Sequence, residues 1–418
     1  MKVSIVGLGY VGLPLACECV IEGIETVGID VDSSKIESIR KGECPVEEEV
    51  TERKFQKVYK EIRATEDYSD IQGSDAVVVT VPTPVSDSKE PNYDYVEAAM
   101  ESVSENIDED TAVILESTVA PGTSRKIVKP ILEESGHSVG EDIFLAYCPE
   151  RIDPGNEEWT IKNIPRVLGA YSDKGLEKAN KFYDEVLEAE INTVEDLKSA
   201  EASKVVENSF RDVNIAFVNE LAKSFDAMGI DTKEVIEAAS SKPFGFMAHW
   251  PGCGVGGHCI PVDPYYLIDQ AENSGFQHEF MQLAREINNS MPEYTVKKLQ
   301  DALNQHSKPV KGTKIALLGL AYKGGVGDTR ESPALEIKEL LESKGAGIHT
   351  FDPYVPEEST LESLEEAVKW AETLLIATEH KEFKELENTD LDDIDLLVDG
   401  KNVLDSENIG TDYTGVGR

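Results

Sequence analysis

Residues 2–30 read KVSIVGLGYVGLPLACECVIEGIETVGID. An apolar run, Val3 to Val6, meets Gly7, Gly9 and Gly12, and a helical pattern follows. A second apolar run, Thr26 to Ile29, ends on Asp30. A strand, G-x-G-x-x-G, a helix, a second strand and a terminal acid form the dinucleotide fingerprint, far more specific than the glycines alone. Gly7 makes the tight turn, Gly9 lets backbone approach a pyrophosphate, and Gly12 lets helix pack on strand. Asp30 would take the adenosine ribose hydroxyls. That favours NAD over NADP, because a 2′-phosphate would meet a carboxylate.

Three more apolar runs extend the sheet: DAVVVTVP (75–82), TAVILES (111–117) and DIFLAYCP (142–149). They run into PTPVSD, STVAPGT and PERIDPGN. Ligands of open parallel sheets bind beyond the carboxyl ends of the strands, so these loops are expected to line the site. Residues 197–228 contain no Gly or Pro, and Ala202, Val206, Val213, Phe217, Leu221, Phe225 and Met228 recur at helical spacing. A helix of that length spans ~48 Å. It is expected to bridge two domains and could also carry a dimer interface.

The opening pattern returns in KIALLGLAYKGG (314–325), and GIHTFDP ends a second strand at Asp352. The turn is G-x-A-x-x-G, with Ala321 where a full fingerprint has its second Gly. A different nucleotide-like ligand fits this turn better than a second NAD, and a purely structural domain is the alternative. The expected class is α/β, with two Rossmann-like doubly wound domains joined by a long central helix.

The chain has 418 residues, 40% hydrophobic, enough for two or three globular domains. Asp and Glu number 81 against 40 Lys and Arg, a net charge of −41. Such a surface repels nucleic acid and anionic lipid, and it keeps a protein soluble at high salt. The acids are scattered, whereas an acidic tail needs a block. A halophilic adaptation is therefore expected, with neither nucleic acid nor membrane as a partner. No apolar run approaches the ~20 residues of a membrane helix. The N-terminus enters a strand without an export pattern, so a cytoplasmic location is expected. Six cysteines are too sparse for a disulfide framework in a chain of this size.

Residues 251–264, PGCGVGGHCIPVDP, break both helix and strand. A metal knuckle, a phosphate loop and a nucleophilic thiol are the possible readings. Adjacent His258 and Cys259 lack usual zinc spacing, and no C-x₂-C partner exists. No G-K-[ST] follows, which argues against a phosphate loop.

The stretches IVGLGYVGLPLA, VPTP, ESTVAPGT, CPERIDPGN, AEASKVVENSFRDVNIAFVNEL, PGCGVGGHCIPVDPYYL and GLAYKGGVGDTRESPA occur in one order and spacing. Together they resemble the UDP-glucose/GDP-mannose dehydrogenase family over nearly the whole chain. The resemblance implies an NAD domain (1–196), a central helical dimerisation domain carrying the Cys loop (197–300) and a UDP-sugar domain (301–418). It also implies oxidation of a sugar's C6 alcohol to a carboxylate with two NAD, in a homodimer or higher oligomer, with no metal.

By resemblance, Cys259 is the nucleophile that captures the aldehyde, a task suited to a thiolate. Asp263 acts with Lys204 and a water as base. Lys204 also stabilises the oxyanion, to which Asn208 donates. Glu150 activates water for thioester hydrolysis, and Thr118 positions a water. The cofactor is held by Gly7, Gly9, Tyr10, Val11, Gly12, Asp30 and Lys35, with Pro82, Thr83, Thr118 and Arg330. The sugar nucleotide meets Glu150, Arg151, Lys204, Asn208, Arg211, Gly257, Tyr322 and Lys323. Without the motif, Lys204 reads as a solvated helix charge, and Cys253 reads as a packing residue.

Two departures narrow the resemblance. The glucose-oxidising branch carries a second Glu where this chain has Pro154, and it reads GGSC where this chain reads GGHC. Both point to the branch acting on UDP-N-acetylglucosamine or UDP-N-acetylmannosamine, and SKPFGFM (241–247) leans towards the former. The alternatives are a UDP-glucose 6-dehydrogenase, a two-electron dehydrogenase or epimerase with no need of Cys259, and a non-catalytic nucleotide-binding protein.

Overall fold

The computed structural model describes residues 1–46, 48–86, 90–152 and 158–418. Pro154 lies outside them. The chain divides into two compact units, the first formed by Met1–Glu207 with Tyr265–Gln277, the second by Asn208–Pro264 with His278–Arg418.

In the first unit, β1 (Lys2–Val6), β2 (Glu25–Ile29), β3 (Ile62–Thr65), β4 (Ala76–Val79), β5 (Ala112–Leu115) and β6 (Phe144–Tyr147) are followed by β7 (Arg166–Ala170) and β8 (Ile191–Thr193). Their order in the sheet is β3-β2-β1-β4-β5-β6-β7-β8. The first six are parallel in the dinucleotide-binding order, and the switch point lies between β1 and β4. β7 runs antiparallel to β6, and β8 runs parallel to β7.

The central strands AVVV, AVIL and FLAY are buried along their whole length. Continuous apolar runs suit this, because helices cover both faces of a parallel sheet. Successive residues alternate between the two layers. Val78 and Ile114 join one core with Leu13 and Phe55; Val77, Val79, Val113 and Leu115 join the other with Met100.

In the second unit, β9 (Lys314–Leu318), β10 (Gly347–Phe351), β11 (Thr373–Ile376), β12 (Leu396–Asp399) and β13 (Tyr413–Gly415) form a parallel sheet ordered β10-β9-β11-β12-β13. This is the flavodoxin-like doubly wound order. Leu317, Val398, Leu299 and Ile337 build the core on one face, and Leu318, Ile376 and Phe383 that on the other. The long helix runs Leu197–Met228, as its spacing predicts, and the division between the units falls within it.

Candidate active site

At the end of β1, Gly7 has φ +94°, and its amide donates to Ile29 O at 2.7 Å. A Cβ on Gly12 would stand 1.8 Å from Gly7 O, whereas a Cβ on Gly9 would meet nothing within 4 Å. Gly12 is therefore demanded by helix–strand packing, and Gly9 leaves an open cradle. The helix Gly12–Ile21 begins after Val11, which has no side-chain acceptor to cap its first amides. Such amides suit an anion. Buried Asp30 accepts from Leu8 N at 2.8 Å and from Asp32 N at 2.9 Å, and Lys35 Nζ stands 3.3 Å from its Oδ2. The cradle, the amides and the fixed acid fit a dinucleotide. Tyr10 is exposed and Val11 half-buried beside them.

The loops after β4, β5 and β6 are tied together. Ser117 Oγ donates to Val81 O at 2.7 Å, and Thr118 follows it, half-buried. Pro82 is exposed, and Thr83 O accepts from Tyr266 Oη at 2.5 Å. Glu150, beyond β6, accepts from the Arg151 and Ile152 amides on Oε1, each at 2.6 Å. Its Oε2 accepts from Arg166 Nη1 at 2.7 Å. Arg166 is fully buried on β7, and Glu116 Oε2 lies 4.0 Å from it. Burial pushes Glu116 up to about 7, Arg166 opposes this, and Glu150 adds to it. Arg166 therefore orients Glu150 while neutralising a second carboxylate beneath it.

Arg151 is bonded to Glu207 on the long helix, at 2.7 Å through Nη2, and to Pro165 O at 2.8 Å. Much of its donor capacity toward a substrate is thus already used. Lys204 is half-buried and makes no ion pair among the described residues.

In the second unit, Asp263 and Asn208 are both buried, and Asn208 Nδ2 donates to Asp263 Oδ2. Arg211 Nη2 donates to Asn208 Oδ1 at 2.8 Å. Asp263 N donates to Cys259 O at 2.9 Å, so one turn of backbone fixes the acid relative to the thiol-bearing residue. Cys259 is half-buried, with Sγ 3.1 Å from His258 Nδ1.

The glycines before Cys259 are required by close packing. Gly257 has φ +86° and donates to Arg330 O at 3.0 Å, and its Cβ would stand 2.8 Å from the Tyr322 ring. A Cβ on Gly256 would stand 2.7 Å from Glu331 O. At these two positions the Tyr322–Glu331 loop approaches the backbone too closely for a side chain. Lys323 is half-buried in that loop. Arg330 Nε donates to both carboxylate oxygens of Asp328 at 3.0 Å.

Cys253 is buried among Val296, Leu299 and Leu317, and its thiol donates to Gly400 O at 3.4 Å. Burial pushes it up to about 11, which suits packing. No group of three or more His, Cys, Asp or Glu among the described residues could hold a metal. In the second sheet, Asp352 occupies the place that Asp30 takes in the first. It is bonded to the Leu320 and Ala321 amides at 2.7 and 2.9 Å and to His380 at 3.0 Å.

Sequence reading missed Arg166, Glu116, Tyr266 and Asp328. Only Arg166 left a signal: a charge opening the otherwise apolar RVLGA run. The others acquire their parts through contacts distant in sequence.

Three family models match in chain order. The NAD binding domain of the UDP-glucose/GDP-mannose dehydrogenase family covers residues 1–187, its central domain 198–290 and its UDP binding domain 316–409. A UDP-N-acetyl-D-mannosamine dehydrogenase of Pyrococcus horikoshii is 35% identical over 423 residues, covering 100% of this chain and 99% of that protein. A UDP-N-acetyl-D-glucosamine 6-dehydrogenase of Pseudomonas aeruginosa is 38% identical over 363 residues, covering 86% and 85%. A solved UDP-D-ManNAc dehydrogenase from Pyrococcus horikoshii superposes with a TM-score of 0.94 at 36% identity, covering 100% and 99% of the two chains. The chain belongs to the UDP-glucose/GDP-mannose dehydrogenase family and is an NAD-dependent nucleotide-sugar dehydrogenase.

Proposed function

We propose that this enzyme oxidises the C6 hydroxyl of a UDP-N-acetylhexosamine, UDP-N-acetylglucosamine or UDP-N-acetylmannosamine, to the uronate. Relatives acting on both sugars support this class. The observation that carries the mechanism is the buried Asn208–Asp263 pair, joined by exposed Arg211 and ending one backbone turn from half-buried Cys259. A fixed acid beside an accessible thiol is what a four-electron oxidation needs, and a two-electron one does not.

NAD, held by the Gly7–Gly12 turn and Asp30, supplies a hydride acceptor for each oxidation. Asp263 and Lys204, with a water, take the C6 hydroxyl proton in the first oxidation. Cys259 Sγ then adds to the aldehyde carbon, and the carbonyl π pair moves to oxygen. Lys204 and Asn208 stabilise that oxygen. The thiohemiacetal gives a thioester in the second oxidation. Glu150, oriented by Arg166, takes a proton from the water that displaces the thiol, and Thr118 positions a water.

The protein is read as a homodimer or larger oligomer, supported by Phe210 and Phe217, exposed seven residues apart on the long helix. It is also read as a cytoplasmic enzyme adapted to high salt, supported by its charge of −41. The decisive experiment is NADH stoichiometry with UDP-N-acetylglucosamine, UDP-N-acetylmannosamine and UDP-glucose, for the wild type and Cys259→Ser. Two NADH per N-acetylhexosamine, lost in the variant, is the expected result. One NADH per sugar, or an unaffected variant, would rule out the mechanism. Preference for UDP-glucose would remove the branch assignment.

A further inference from the structure

The thiol of Cys259 must lose its proton before it can attack. His258 meets Sγ with its Nδ1 at 3.1 Å. That distance lies within the reach of a sulfur hydrogen bond, and a neutral imidazole protonated on Nε2 offers Nδ1 as an acceptor.

The surroundings suit an imidazolium. Burial works against the charge of Asp328, but the bonds from Arg330 and the nearness of His258 hold its carboxyl below the ordinary range. Asp328 thus presents a negative charge near the ring. Arg330 is held above its ordinary value first by Asp328, with smaller contributions from Tyr322 and Cys259. A guanidinium therefore also lies in the field of the sulfur and favours its thiolate. The charged and titratable groups of this unit that act on the pair include Asp328, Arg330 and Tyr322. Gly257 fixes the approach, since its backbone is bonded to Arg330 O and its α-face is filled by Tyr322.

We propose that His258 is a catalytic base that generates the Cys259 thiolate, with Asp328 stabilising the imidazolium. The proposal rests on the reading of Cys259 as the nucleophile and adds the group that activates it. The S–H proton passes to Nδ1, and the electron pair remains on Sγ. Sγ bonds to the aldehyde carbon as the carbonyl π pair moves to oxygen. When water displaces the thiolate from the thioester, the imidazolium returns its proton to sulfur.

The test needs neither sugar nor cofactor. Iodoacetamide labelling of Cys259 in the intact protein, followed by peptide mass spectrometry, reads thiolate content directly. At neutral pH an ordinary thiol, with pKa ~8.5, is only a few per cent thiolate, so His258→Gln should label about tenfold or more slowly than the wild type. Above that pKa the two rates should converge, which a merely structural role would not produce. His258 is exposed, so the fold should tolerate its replacement, and His258→Asn serves as a second variant. Equal labelling at neutral pH in both variants, or a deficit that persists at high pH, would overturn the proposal. Absence of NADH formation with every UDP-sugar would instead overturn the oxidation reading and leave the labelling result intact.

Discussion

Replacing Arg166 by Met keeps most of the side-chain volume and removes the guanidinium that faces both Glu116 and Glu150. All three side chains are at least nine-tenths buried. Removing one partner of a buried ion pair leaves uncompensated charge and costs ~3–5 kcal/mol. In a unit of this size each kcal/mol moves Tm by about 2–4 °C, so a fall of roughly 6–20 °C is expected. The pH dependence has a definite sign. The folded-state pKa of Glu116 is raised from 4.5 to about 7, first by burial and then by Glu150, against Arg166. A raised carboxylate pKa means that the folded chain holds the proton longer than the unfolded chain. The contribution of Glu116 is therefore most favourable below 4.5 and is lost as pH rises through about 7. Without Arg166 this penalty grows, so the variant should lose least at pH ~5 and most at pH ~8. Adding Glu116→Gln should return part of the loss, because the two groups are coupled. Thermal melts at both pH values, on the wild type, both single variants and the double variant, check the set. A fall under ~3 °C, an equal fall at both pH values, or strictly additive effects would refute the reasoning.

Two further perturbations address the cofactor turn and the surface. Gly12→Ala places a methyl group 1.8 Å from Gly7 O, so β1 and its helix must separate, and NADH binding by fluorescence should fall by at least tenfold; unchanged binding would refute the packing account. The charge of −41 should make the protein more stable in molar KCl than in dilute buffer, with sedimentation showing a dimer in salt. A flat salt response would remove the halophilic reading, and a monomer at micromolar concentration would remove the dimer.

Local chemistry announced much of this protein. Gly7, Gly12 and Asp30 mark a turn whose geometry is set within 30 residues, so their spacing carries the fold. The long helix was legible because thirty-two residues without Gly or Pro keep one periodicity from Leu197 to Met228. The resemblance named Cys259, Asp263 and Glu150, but not how each is held. β7 and β8 were not foreseen, since strands of five and three residues leave little pattern. The use of Gly256 and Gly257 also went unread, because what fills their space lies some seventy residues away in Tyr322 and Glu331.

The sequence by itself determined two doubly wound domains, an NAD fingerprint and a thiol in a loop that breaks helix and strand. Those are properties of short windows, where backbone sterics and apolar periodicity act alone. Tertiary structure decided the rest: that Arg166 lies buried between Glu116 and Glu150, that Asp352 is bonded to buried His380, and that Cys259 has an imidazole at its sulfur. Burial and charge pairing depend on which distant segments meet, and a linear pattern does not record that.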